Sequence, residues 1–196
     1  MIGFESAPRY AELVRRLTGD SEIVPPGLIL ELDRPEWARF KSETLWQGIA
    51  SQGAVAAQFA QVGVRNGPNS NGIVVIVGAS FNVGATENLE LHLYDGSVGL
   101  QLGGISPARA RDTRLLTSAA ALRTDPLARL GAKTGAIVGV SDFTIQMQNA
   151  VFNWLPMTIV LGPNTEAVFA GTVANTTLIG SFVGYSRIMR PEELAE

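Results

Sequence analysis

His92 is the single histidine of the chain, and a histidine beside a carboxylate is the commonest acid–base pair near neutral pH. In the run 89–95 its side chain shares a face with Glu90 and Tyr94, because residues two apart on a strand point the same way. Leu89, Leu91 and Leu93 take the opposite face, so the polar face is expected to be solvated and His92 to be a surface residue with a structural role. A Ser-His-Asp triad would have to use it, yet no G-x-S-x-G elbow is present. The nearest string, Gly184-Tyr185-Ser186-Arg187-Ile188, lacks the second glycine. One histidine and no cysteine exclude the ordinary zinc sets, and with them go disulfides and a cysteine nucleophile. Asp20 and Asp95-Gly96 sit in turns without the spaced acids of a calcium loop. Asp33 with Glu36, or Asp112 with Asp125, carry no feature that marks a glycosidase pair. The glycine-rich stretch RNGPNSNG, 65–72, lacks the G-K-[ST] and the following helix of a phosphate loop. Asn175-Thr176-Thr177 is a formal glycosylation sequon that reads as a turn. No catalytic, cofactor-binding or metal-ligating residue is assigned, no cofactor is expected, and the chain is expected not to be an enzyme.

Composition points to assembly instead. Charged residues make up 17% of the chain, against about 25% in ordinary soluble domains, and Lys41 and Lys133 are the only lysines. Lysine and glutamate are depleted where surface is buried between subunits, whereas arginine and aromatics are kept. The net charge is −3 and no basic run occurs, so no nucleic-acid partner is expected. No apolar run approaches the roughly 18 residues that cross a bilayer, and the opening MIGFESAPRYAEL lacks the basic and apolar regions of a signal peptide. No membrane partner is expected.

The elements follow from periodicity. Tyr10, Leu13, Val14 and Leu17 fall at i, i+3, i+4 and i+7, one stripe of a helix over about 7–18. Ser6 suits its cap, Pro8 its first turn and Gly19 its stop. Pro25 and Pro26 then make an extended link. Residues 1–45 are therefore expected to be a helix and extended arm. Because a short isolated helix is marginal, Tyr10, Leu13, Val14, Leu17 and Trp37 are candidate interface residues. From residue 46 to 196 the helical period gives way to strands. Ile73, Val75, Val77, Ala79, Phe81 and Val83 are expected on one face of a strand, and Val74, Ile76, Gly78, Ser80 and Asn82 on the other. The region near 105–135 breaks this rhythm and reads as a long irregular insertion, with one helical turn at DPLARLG. Turns at 162–164 and 174–176 frame two runs that read as a closing hairpin. In its second run Leu178, Phe182 and Ile188 face one way, and Ile179, Val183, Tyr185 and Met189 the other. Both faces are largely apolar, which suits a hairpin covered on both sides and makes Tyr185 a further interface candidate. Eight or nine short strands without intervening helices predict an all-β domain, an antiparallel β-sandwich of jelly-roll type.

ELDRPEW, VRNGPNSNGIVVIV, RDTRLL and LPMTIVLGPNTEAVFAGTVANTTLIGSFVGYSRI occur in that order. In that order they resemble a group of structural proteins of tailed bacteriophages. The resemblance implies a virion component with a β-sandwich core, assembled in the host cytoplasm, such as a capsid decoration (cement) protein or a head–tail or tail component. It implies no catalytic residues. The expected partners are further copies of the chain, a trimer being one form, and other virion proteins such as the major capsid protein. The alternative is a tail-fibre or receptor-binding module that stacks a cell-surface glycan on exposed aromatics among Trp37, Trp46 and Trp154.

Overall fold

The computed structural model describes residues 44–67, 70–97, 99–110, 124–149, 151 and 153–189. The helix and arm expected within 1–45, with Tyr10, Leu13, Val14, Leu17 and Trp37, lie outside these residues, save that β1 already begins at Thr44. Ten strands follow: β1 (Thr44–Gln52), β2 (Phe59–Asn66), β3 (Gly72–Val83), β4 (Glu87–Asp95), β5 (Gly103–Ala110), β6 (Thr124–Gly135), β7 (Phe143–Met147), β8 (Asn153–Leu161), β9 (Thr165–Gly171) and β10 (Leu178–Ile188). All pairings are antiparallel, so the expectation of an all-β antiparallel fold holds.

The ten strands form one sheet in the order β7-β4-β9-β2-β6-β5-β1-β10-β3-β8. The support for the expected fold therefore does not extend to two separate layers. The sheet curls as a half-barrel, so that the inner face of the β1-β10-β3-β8 half meets that of the β7-β4-β9-β2 half. Phe81 and Phe182 from one half meet Phe169 from the other, with ring centroids 4.7–5.7 Å apart in tilted and edge-on arrangements, the geometry that ring quadrupoles favour. Trp46, Ile76, Leu89, Met147 and Leu178 fill the same core, each contributing about 1.5–3 kcal/mol by leaving water.

Four expectations change. The closing hairpin is not one: β9 pairs with β2 and β4, whereas β10 pairs with β1 and β3. The turn at Asn175 (φ 61°) carries the chain from one half of the sheet to the other. Only β5 and β6 are neighbours both in sequence and in the sheet. They also occupy most of the supposed irregular insertion at 105–135. The expected helical turn at DPLARLG is part of β6. Asp125 Oδ1 does accept the N–H groups of Leu127 and Ala128, at 2.9 and 2.6 Å, which is the bonding of a helix cap. Here that bonding only kinks the start of a strand. In β3 the pairing with β10 steps from Ile76 to Gly78 while β10 steps only from Gly184 to Val183, which leaves Val77 as an extra residue. An extra residue there reverses the alternation, so the core takes Val74 and Ile76 before the bulge and Ala79, Phe81 and Val83 after it.

His92 is the fourth. It is buried rather than on the surface, because the β6–β7 connection is tied over the outer face of β4. Tyr94 OH donates to the Val138 carbonyl at 2.5 Å, Leu93 N–H to Asp142 at 2.8 Å, and Asp142 N–H to the Leu91 carbonyl at 2.8 Å.

Candidate interaction surface

The four strands β1, β10, β3 and β8 contain a single charged residue, Arg187. Their outward side chains form rows across the half-sheet. Leu45, Tyr185, Val75 and Val160 are register partners in one row, in which Val75 is buried; Ile49, Ser181, Ser80 and Trp154 are partners in another. Ile49, Trp154 and Val160 are 67%, 56% and 59% exposed, more than isolated apolar residues need explain when they share one face. Trp154 lies flat there because Gly78 is beneath it: a Cβ on Gly78 would stand 2.3 Å from the indole. A cavity of about 690 Å³ adjoins the other margin, where β1 and β5 part after pairing only at Trp46–Ala110 and Gln47–Arg109 among the described residues. Ile49, Ser181 and Val183 line its near side and Pro107 and Arg109 its far side.

Polar chemistry is gathered on the other half of the sheet, and there it holds connections in place. Glu166 is fully buried. It accepts Arg65 Nε at 2.8 Å and the N–H groups of Gln101 and Leu102, while Arg65 Nη2 donates to the Leu102 carbonyl at 2.7 Å. The β4–β5 connection is thereby pinned to β2 and β9. Burial pushes the Tyr94 phenol above its ordinary pKa, and the Glu166 charge adds to this. Glu87 is raised too, by burial, against the opposing hydrogen bonds from Val173 N–H and the Thr176 hydroxyl. Asp125, also buried, receives the Ser186 hydroxyl at 2.6 Å. His92 and Glu90 do meet, at 3.2 Å, and His92 stacks on Tyr94 with centroids 6.0 Å apart. Its Nδ1 is buried without a hydrogen-bond partner.

These groups do not assemble a nucleophile with its base. The Ser186 hydroxyl is directed to Asp125, and His92 to Glu90. Asp33, Glu36 and Asp112 lie outside the described residues, so Asp125 is seen without its supposed partner. No cluster of three His, Cys, Asp or Glu that would hold a metal occurs among the described residues.

The chain matches no protein-family model, no curated protein and no solved structure. Of the interface residues expected from sequence, Tyr185 is described, and it lies half-buried on the uncharged face. Sequence points to Trp154 only as one of the aromatics that could stack a glycan, and it does not single out Ile49 or Val160. The signal for them was the absence of charge from four separate runs, which becomes one surface only once β1, β10, β3 and β8 are placed side by side.

Proposed function

We propose that the protein is a non-enzymatic structural component of a tailed bacteriophage virion, acting as a capsid decoration (cement) protein or as a head–tail or tail component. The observation that carries this reading is the uncharged outer face of β1-β10-β3-β8 with Ile49, Trp154 and Val160 exposed on it. Depletion of charge with retention of aromatics characterises surfaces that are covered by protein. Support also comes from the strand order. Chain steps β1–β2, β2–β3, β3–β4, β7–β8, β8–β9 and β9–β10 all pass between the two halves. We read this interlacing as a jelly roll with strand sets β1-β10-β3-β8 and β7-β4-β9-β2, joined through the inserted β5–β6 pair. Jelly rolls serve viral capsids and also lectins, so the fold supports the reading only by analogy.

The test is electron microscopy of particles made with a tagged chain. Label at regular positions on the particle is expected; label confined to fractions without particles would contradict the proposal. Exposed Trp154 favours a second reading, a glycan-binding tail-fibre module. Quenching of tryptophan fluorescence by added sugars would support that alternative.

A further inference from the structure

We infer that the uncharged face pairs with the same face of a second copy, about a two-fold axis lying parallel to the strands between β10 and β3. The inference rests on reading this face as an assembly surface and adds the identity of its occupant. Such an axis exchanges β8 with β1 and β3 with β10 while keeping each row opposite itself. In the row Ile49–Ser181–Ser80–Trp154, the backbone at position 154 of one copy then lies opposite position 49 of the other. In the row Leu45–Tyr185–Val75–Val160, Val160 lies over Leu45.

Shape agrees with this exchange. The indole of Trp154 lies over Gly78 of β3, beside the proposed axis, so it faces Val183, the register partner of Gly78, on the opposite copy. One operation makes this contact twice, the self-complementarity that a two-fold contact requires. Tryptophan is also among the residues enriched at the centres of interfaces.

Charge and area agree as well. A face with no ionised group except Arg187 near one end meets its own image without stacking like charges across the contact. Strands lie about 4.8 Å apart and rise about 3.3 Å per residue, so four strands of nine or more residues cover roughly 570 Å². Two such faces withdraw on the order of 1,100 Å² from water, above the roughly 1,000 Å² expected of a specific contact.

The chain has no cysteine, so engineered pairs report without background. Full-length Ile49→Cys and Trp154→Cys proteins, mixed and treated with a short bismaleimide crosslinker that bridges the roughly 10 Å between packed sheets, are expected to give a linked dimer of one of each. Neither alone should link, because two copies of position 154 would stand three strand spacings apart sideways, about 14 Å, as well as about 10 Å across the contact. Trp154→Glu and Ile49→Glu should each weaken self-association at least tenfold in sedimentation equilibrium. Linking of Trp154→Cys with itself, a trimer, or no mixed link would overturn the two-fold pairing; the mixed link keeps the test decisive even if Trp154→Glu folds poorly. A chain that enters particles without this link overturns the pairing alone. A chain that links as expected but never enters particles overturns the virion reading alone.

Discussion

Glu87 is 5% exposed at the start of β4, where it holds the β9–β10 turn through Val173 and Thr176. Its carboxyl is raised by burial, so the folded state binds the proton more tightly than the unfolded state does. The cost of ionising it is therefore fully present above the folded pKa and absent below the unfolded one. As pH falls from neutral towards the ordinary glutamate value of 4.5, the wild type should gain stability relative to Glu87→Gln, which cannot titrate. Urea denaturation at several pH values measures this; a constant difference would contradict it. At this scale the sequence was legible as local pairing and no further. It placed Glu90, His92 and Tyr94 on one face, which is a matter of strand period. It could not show that a connection more than 40 residues away covers that face, because that depends on Tyr94 reaching Val138.

Between elements, the Arg65–Glu166 pair is the tie that fixes the β4–β5 connection to the sheet. Truncating Arg65 to Ala leaves a buried carboxylate uncompensated, a change that costs about 3–5 kcal/mol. Chemical denaturation should show that loss, and hydrogen exchange should show the amides of Gln101 and Leu102 losing protection first. An Arg65→Ala protein as stable as wild type would contradict the role. Element types were readable here where alternation was regular, as in β7 and β10. They were not readable in β5 and β6, where proline, arginine and alanine hide the period, nor across the bulge in β3, which exchanges the two faces. Partners were less legible still. The runs that became β9 and β10 are linked by a short turn that suits a hairpin, yet the sheet sends them to opposite halves.

At the scale of the molecule, charge divides the sheet. Arg65, Glu87, Glu90, Asp95, Arg109, Asp125, Arg129, Lys133 and Glu166 belong to β2, β4, β5, β6 and β9, while β1, β10, β3 and β8 share only Arg187. The low overall charge was plain in the composition; its concentration into one bare face was not, because the four strands are scattered along the chain. That face is the centre of the proposed function, whatever covers it. The direct test compares recovery in particle fractions of three full-length chains: wild type, Val160→Glu, and Leu93→Glu, which puts the same charge at a half-exposed position on β4. Wild type and Leu93→Glu are expected in the particles and Val160→Glu is expected to be lost from them. Recovery of Val160→Glu at the level of the other two would contradict the account.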